Sequence, residues 1–206
     1  MKHKIKELIK FIVGYVIWLF KKPKFPKYEK VLIHIGNGNQ HDERYINIDA
    51  RPLPNVHIVS KRIHKLNKFK DNSVDLIYVC HIMEHVKYFD LDVVFKEFFR
   101  VLKPNGVLRI SVPDFDNIIN IYNKNDNDIN TIKNMLLGGQ DYKYNFHYSV
   151  FNKKYLQEKL LNQGFNSTNE WDPSTAKYYT FDDWASKKCI INDVEFEISL
   201  NLEATK

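Results

Sequence analysis

The sequence predicts a single α/β domain built on an open, mostly parallel sheet, preceded by a separate N-terminal segment. From residue 31 onward, short apolar runs typical of buried strands alternate with helical patterns. A length of 206 residues suits one compact core and leaves too little chain for a second. We therefore expect a basic, apolar segment over residues 1–27 and the α/β domain over residues 28–206.

The positive charge of the chain is concentrated in the N-terminal segment. The total is +6, but residues 1–30 hold nine lysines against two glutamates, which leaves residues 31–206 with a net charge of −1. Domains that bind nucleic acid normally spread positive potential around their groove, so nucleic acid is not the expected partner. Two cysteines, Cys80 and Cys189, are too few for a disulfide framework and favour a reducing cytoplasm.

The N-terminal segment contains an unbroken apolar run, FIVGYVIWLF over residues 11–20, with lysines on both sides. The run is shorter than the roughly 20 residues that a membrane-spanning helix needs. The flanking lysines, of which 2, 6 and 10 share one helical face, favour a helix lying in the membrane interface. Residues 1–22 are thus the expected membrane contact, which makes the protein peripheral on the inner face. A helix packed on the domain's own core and a secretory signal are the alternatives.

The rest of the chain reads as strands followed by helices. Five parallel strands are predicted at VLIHIG (31–36), YINIDA (45–50), NVHIV (55–59), VDLIYVC (74–80) and VLRISVP (107–113). Helices are expected over residues 91–102 and 153–162, with a helical cap over residues 117–139. Strict alternation over residues 194–203 predicts an antiparallel strand, and Asn192-Asp193 predicts a C-terminal hairpin.

Several features converge at the carboxyl ends of the predicted strands, where open α/β sheets bind their ligands. Gly36 and Gly38 follow the first strand, and their missing side chains let the backbone approach a ligand. Asp49 ends the second strand, where a carboxylate can accept both hydroxyls of a ribose. Cys80 and His81 end the fourth strand. A glycine turn followed one strand later by an acid favours an adenosine ligand.

The motif series closely resembles class I S-adenosylmethionine-dependent methyltransferases. The resemblance runs from about residue 31 to 113 through GNG, INID, DNSVDLIYVCHIMEHV and FKEFFRVLKPNGVLRISVPD. HYSVFNKKYLQEKLLNQGF looks like a stretch of the sugar- and lipid-modifying members, and DDWASK…EISLNLEATK is similar to small members found with bacterial surface-polysaccharide enzymes. The resemblance implies a Rossmann-like sheet of seven strands in the order 3-2-1-4-5-7-6, helices on both faces, and S-adenosylmethionine as cofactor.

The resemblance also implies which residues contact the cofactor. It places the two glycines of the turn near the methionine end of the cofactor and Asp49 on its ribose. The pair Cys80–His81 at the end of the fourth strand would lie beside the cofactor. The implied contacts are Gly36, Asn37, Gly38, Asp49, Ala50, Cys80 and His81. Asn37 stands where the family often has Cys, and Arg62 stands where it usually has an Asp near the adenine amine. A cation cannot accept the hydrogen bond of that amine.

Two histidines are candidates for the proton transfer that accompanies methylation of a hydroxyl, because histidine titrates near neutral pH. His85 follows the fourth strand, and His147 lies in YNFHYSVF. A loop-ordering role for His85 and a polar loop position for His147 are the alternatives. Residues 81–85 match the H-x-x-E-H pattern of some zinc peptidases. Since no third ligand is evident from spacing, no metal is expected.

The sequence as a whole predicts an O-methyltransferase that acts on a sugar or lipid-linked glycan at the inner membrane face. Lys61 and Arg62 belong to a basic cluster that could meet a phosphate of such an acceptor, or could be a solvated face. The rival hypothesis is a non-catalytic module with the methyltransferase fold, a membrane-bound partner in glycan assembly. The cation at residue 62 motivates that rival.

Overall fold

The structure is a computed structural model that describes the backbone of residues 2–206 and the side chains of residue 9 and residues 11–206. The predicted face formed by lysines 2, 6 and 10 therefore lies outside the described side chains. The helices are α1 (Lys2–Lys21), α2 (Leu91–Val101), α3 (Phe115–Lys124), α4 (Ile129–Leu137) and α5 (Lys153–Asn162). The strands are β1 (Leu32–Ile35), β2 (Tyr45–Asp49), β3 (Ile58–Val59), β4 (Val74–Cys80), β5 (Leu102–Pro113), β6 (Ser167–Glu170), β7 (Lys188–Ile191), β8 (Val194–Glu197) and β9 (Ser199–Thr205).

Seven strands form one mixed sheet in the order β3-β2-β1-β4-β5-β9-β6. The first five pair in parallel, and β9 lies between β5 and β6, antiparallel to both. Since β9 takes the place of the seventh strand, this is the order that the resemblance implied. The predicted fold class is confirmed.

The segment of alternating apolar and polar residues near the C-terminus is divided between two strands. β8 pairs with β7 in a separate hairpin, whereas β9 joins the main sheet and buries Leu200, Leu202 and Ala204. Asn192 and Asp193 connect β7 to β8 with φ values of 51° and 62°, the backbone that two-residue hairpin turns require. The predicted hairpin is confirmed, and the strand predicted over residues 194–203 becomes two.

The two faces of the sheet are covered by different kinds of structure. α2 and α5 pack their apolar sides on one face and complete the main core. The other face is covered by residues 171–187, which contain no helix, so a loop there replaces the helices that the resemblance implied for this face. Phe181 stacks on Tyr78 with ring centroids 5.1 Å apart, and Trp171 meets the same ring edge-on at 6.1 Å. Large aromatic rings let a loop bury the area that a helix would otherwise cover.

α1 packs on the domain along one side and is exposed along another. Trp18 is 9% exposed, and its indole Nε1 donates to the carbonyl oxygen of Val56 over 2.6 Å. The exposed side carries an apolar strip made of Ile9, Ile12, Val13, Val16, Ile17, Leu19 and Phe20. Within the described residues, none of the helices has the length and apolarity needed to cross a bilayer. The structure thus shows contact with the domain at Trp18 and leaves the strip uncovered.

Candidate active site

A cleft of about 1150 Å³ opens at the carboxyl ends of β1, β2 and β4. The sheet supplies one wall, and residues from α4 and the loop after it supply the opposite wall. Every residue implied as a cofactor contact lines this cleft: Gly36, Asn37, Gly38, Asp49, Ala50, Cys80 and His81. Of the other predicted site residues, His85, His147 and Lys61 also line it.

The turn after β1 requires glycine at two positions. Gly36 has φ +72°, and a Cβ atom there would lie 2.1 Å from Cδ1 of Ile82. Gly38 has φ +53°, and its N–H donates to Oδ2 of Asp49 over 3.0 Å. Side chains are disfavoured at such backbone angles, so glycine allows both the turn and the close approach of a ligand to its backbone.

Asp49 ends β2 with its carboxylate 5% exposed and fully engaged. Oδ1 accepts hydrogen bonds from the backbone N–H of Arg51 (2.8 Å) and from its Nε (3.1 Å). The Arg51 side chain is 40% exposed, so it can turn toward solvent and free the carboxylate for ribose hydroxyls. No sequence signal marked Arg51 as the partner of Asp49.

Asn37 adds an unused acceptor to the same turn. Its Nδ2 donates to the carbonyl oxygens of Gly38 (3.0 Å) and Gln40 (3.1 Å). Its Oδ1 is buried and has no hydrogen-bond partner among the described residues. Because buried polar atoms are normally paired, this oxygen is suited to receive an N–H group of a ligand.

His81 is held in one orientation at the end of β4. Its φ of +49° is unusual for a residue with a side chain and costs about 1–3 kcal/mol. The Ser199 hydroxyl donates to the carbonyl oxygen of Trp184 (2.6 Å), so its oxygen accepts from His81 Nε2 (2.8 Å). Nδ1 is then unprotonated and lies 3.4 Å from Oε1 of Glu84. Burial lowers the pKa of His81 to about 3, so the ring is neutral.

Glu84 is a buried acid in the cleft that was not predicted as a site residue. The residue is 1% exposed in the short turn Met83–His85, and neither carboxylate oxygen has a hydrogen-bond partner among the described residues. Burial raises the pKa of Glu84 to about 8. Its backbone oxygen accepts from the N–H groups of Tyr148 (2.7 Å) and Ser149 (3.1 Å), which fixes the cap loop to the strand end.

The two candidate histidines face each other, with ring centroids 4.9 Å apart. Nδ1 of His85 is 3.0 Å from the Phe146 carbonyl oxygen, and Nδ1 of His147 is 2.9 Å from that of Met135. Carbonyl oxygens only accept, so each Nδ1 carries a proton and each Nε2 keeps its lone pair. Burial lowers the pKa of both rings. Ligand-forming atoms of Glu84, His85 and His147 lie within 4.8 Å of one another.

Lys61 and Arg62, the two basic residues predicted to contact the acceptor, differ in their position relative to the cleft. Lys61 lines the cleft, with Nζ 5.2 Å from the ring centroid of Phe11 in α1 and 5.9 Å from that of Tyr144. Lys143 approaches the same two rings, at 5.7 Å and 4.8 Å. Arg62 is exposed and is not among the described residues that line the cleft. The rim therefore brings α1 together with two lysines.

Residues 37–110 match a family model described as a methyltransferase domain, and no curated protein matches the chain. A SAM-dependent methyltransferase from Archaeoglobus fulgidus is similar in structure, with TM-score 0.54, 14% identity, and 100% of this chain and 95% of that chain covered. A SAM-dependent methyltransferase from Methanosarcina mazei is similar with a TM-score of 0.53 and 15% identity, and the match covers 91% of this chain and 96% of that chain. The 1,6-didemethyltoxoflavin-N1-methyltransferase of Burkholderia thailandensis is similar with a TM-score of 0.53 and 15% identity, and the match covers 99% of this chain and 89% of that chain.

The family match and the shared fold support S-adenosylmethionine as the cofactor of this cleft. The residues present fit it. A glycine turn leaves room that a Cβ atom would fill, Asp49 offers a carboxylate at the end of β2, and Asn37 offers an unpaired acceptor. The chain has the fold of S-adenosylmethionine-dependent methyltransferases, and residues 37–110 match the model of a methyltransferase domain.

Proposed function

We propose that the protein is an O-methyltransferase that uses S-adenosylmethionine to methylate a sugar or lipid-linked glycan at the inner face of the membrane. One observation carries the proposal. The glycine turn with Asp49 and the neutral pair His85–His147 line the same cleft, so a methyl donor and a proton acceptor can meet there.

The residues at the ends of β1 and β2 bind and orient the cofactor, which when bound supplies an electrophilic methyl group on its sulfonium. Gly36 and Gly38 let the backbone come close, and Asn37 Oδ1 accepts a ligand N–H. Asp49 accepts the ribose hydroxyls after Arg51 turns to solvent. Positioning of the two reactants accounts for most of the acceleration expected in an in-line transfer.

The histidine pair receives the acceptor hydroxyl and its proton. The hydroxyl donates to Nε2 of His85 or His147, the nitrogen that each ring leaves unprotonated. With the methyl group supplied by the bound cofactor, the proton of the hydroxyl would move to that Nε2 and later pass to water. The carbonyl oxygens of Phe146 and Met135 hold the rings in place through Nδ1, so the bases are oriented before the acceptor arrives.

The position of α1 supports a membrane-bound acceptor. Its apolar strip is suited to the lipid interface, and Phe11 of the same helix lies beside Lys61 and Lys143 at the cleft rim. A helix lying in the interface would bring this rim close to the headgroups. Two ammonium groups at the rim suit a phosphate of a lipid-linked glycan.

Loss of the apolar strip should release the protein from membranes. The variant carrying Ile17→Glu and Phe20→Glu is expected to bind anionic vesicles at least about tenfold more weakly, since each side chain contributes roughly 1.5–3 kcal/mol when buried in lipid. Val93→Glu on α2 is the matched control, because Val93 is an exposed apolar residue on another surface. Equal sedimentation of all three proteins with vesicles would contradict the proposed membrane contact.

The methylation itself is tested with vesicles that contain lipid-linked glycans, by measuring S-adenosylhomocysteine and the mass of the product. His85→Gln and His147→Gln should each lower kcat by about 10²–10⁴-fold, the usual range for general acid–base groups. The exposed residue His41 provides the control variant His41→Ala. Absence of product with every glycan acceptor, in protein that binds S-adenosylmethionine, would refute the acceptor class.

The second candidate is a non-catalytic module that keeps the fold and partners a glycan assembly complex. The Arg51–Asp49 ion pair favours it, because it occupies the carboxylate that ribose requires. Affinity for S-adenosylmethionine distinguishes the two candidate functions. In a non-catalytic module the Arg51–Asp49 ion pair would stay in place, and the cofactor would not bind.

A further inference from the structure

We propose that Glu84, His85 and His147 form a binding site for a divalent transition metal of the zinc class, open to the cleft. The fold brings His147 from the cap loop to Glu84 and His85, whereas His81, the first histidine of the H-x-x-E-H pattern, is not in the cluster. The site stands on these three residues alone, whereas its role in the reaction rests on the proposed function.

The ligand set is that of catalytic zinc sites, which use three protein ligands and keep a fourth position for water or substrate. Two imidazoles and one carboxylate converge here, with ligand atoms within 4.8 Å of one another. Bonds of about 2.1 Å place tetrahedral ligands about 3.4 Å apart, so side-chain rotation would close the cluster on an ion. All three residues line the cleft, which leaves the open position facing it.

Backbone carbonyls prepare both imidazoles for metal binding. His85 and His147 each donate Nδ1–H to a carbonyl oxygen, at 3.0 Å and 2.9 Å. Metal-binding histidines typically make this outer hydrogen bond, which fixes the ring and directs the lone pair of the other nitrogen at the ion. Two rings prepared in this way face one another at 4.9 Å.

The carboxylate of Glu84 gives an independent indication of a missing cation. Both of its oxygens are buried without a hydrogen-bond partner among the described residues, an arrangement that is costly for an acid. The unprotonated Nδ1 of His81 lies 3.4 Å from Oε1, so this ring supplies no N–H to the carboxyl group. A bound cation would satisfy both oxygens in their ionised form.

The cap loop is shaped around His147. Gly138 ends α4 with φ +75°, and a Cβ atom there would lie 2.5 Å from the backbone oxygen of Asn145 and 3.1 Å from Cδ2 of His147. The backbone N–H of His147 also donates to the Leu137 carbonyl oxygen over 3.1 Å. These contacts fix the third ligand against the helix end instead of leaving it on a free loop.

A metal here would deepen the proposed reaction by binding the oxygen of the acceptor hydroxyl. Coordination would lower the pKa of such an oxygen, so that its proton could pass to water while the bound cofactor supplies the methyl group. With the metal bound, the Nε2 atoms of His85 and His147 would be ligands and would not take the proton.

The experiment uses full-length protein stripped with a chelator and dialysed against Zn²⁺, with the bound metal counted by elemental analysis. One Zn²⁺ per chain is expected. His85→Ala, His147→Ala and Glu84→Gln should each weaken Zn²⁺ binding by more than about a hundredfold, because loss of an outer hydrogen bond alone costs about 10–100-fold. Co²⁺ should give the visible absorption of a four-coordinate site in the parent protein only.

His41→Ala is the control and should keep full metal binding, since His41 is exposed and outside the cluster. Circular dichroism of the metal-free proteins identifies any variant that fails to fold, and the near-isosteric Glu84→Gln keeps the test decisive. Less than one tight Zn²⁺ in the parent, or unchanged binding in the folded cluster variants, would overturn the site. Titration with S-adenosylmethionine is done separately without metal, so failure of the metal site and of the proposed function are distinguishable.

Discussion

Asp49→Ala is expected to weaken S-adenosylmethionine binding by at least about a hundredfold. The carboxylate lies at the end of β2 in the cleft, and it is the acid there that can accept both ribose hydroxyls. Hydrogen bonds to a charged group are worth about 1.5–3 kcal/mol each, and 1.4 kcal/mol is a tenfold change in affinity. Calorimetric titration of the parent and of Asp49→Ala with S-adenosylmethionine measures the ratio of their dissociation constants directly.

A matched control separates the ribose contact from general effects of charge. Asp71 is an exposed acid on the domain surface outside the cleft, so Asp71→Ala should leave the affinity unchanged. Because Asp49→Ala also removes the partner of Gly38 N–H and Arg51, thermal melting must show that the variant is folded. An affinity within about threefold of the parent in folded protein would mean that Asp49 does not hold the cofactor.

Gly36→Ala is expected to lower the free energy of unfolding by about 2–5 kcal/mol. A left-handed backbone costs about 1–2 kcal/mol for a residue with Cβ, and overpacking of a core typically costs about 1–3 kcal/mol. Both apply here, since φ is +72° and the new Cβ would lie 2.1 Å from Cδ1 and 2.3 Å from Cγ1 of Ile82. Urea unfolding measures the loss.

Two further variants test these causes. Gly14→Ala in α1 should be neutral or stabilising, because its Cβ would meet Pro52 at an ordinary 3.4 Å and alanine favours a helix by up to about 1 kcal/mol. Adding Ile82→Ala to Gly36→Ala removes the clashing atoms. The double variant should therefore recover the part of the stability loss that comes from overpacking and keep the part that comes from the backbone angle. Equal stability of the parent and Gly36→Ala would show that the turn is not constrained as described.

The fold was predictable where local pattern and tertiary packing agree. The fourth strand and the helix over residues 153–162 occur with the predicted bounds. The third strand was predicted over residues 55–59, but only Ile58–Val59 pairs. The His57 N–H donates to the Asn47 carbonyl oxygen over 3.0 Å, but the Asn47 N–H donates to the ring of His57 over 2.9 Å, so a side chain replaces one backbone partner there. Hydropathy cannot show such a substitution.

The site was predictable only in part, because sequence order fixes which residues end neighbouring strands but not which loops return to them. Residues of the glycine turn, Asp49 and His81 follow from strand ends alone. The contact between His85 and His147 depends on a cap loop that bonds to the backbone of Glu84 from more than 60 positions along the chain. Both histidines were predicted separately, but the spacing of residues carries no record of that return. Their contact with each other and with the buried Glu84 could therefore only be found in three dimensions.

Titration of S-adenosylmethionine into the full-length protein by calorimetry is the decisive measurement. We expect one site per chain with affinity in the micromolar range, as the glycine turn, Asp49 and Asn37 provide a cofactor site that opens when Arg51 moves to solvent. Absence of binding by protein that is folded by circular dichroism would contradict the enzyme and leave the non-catalytic module as the function of this fold.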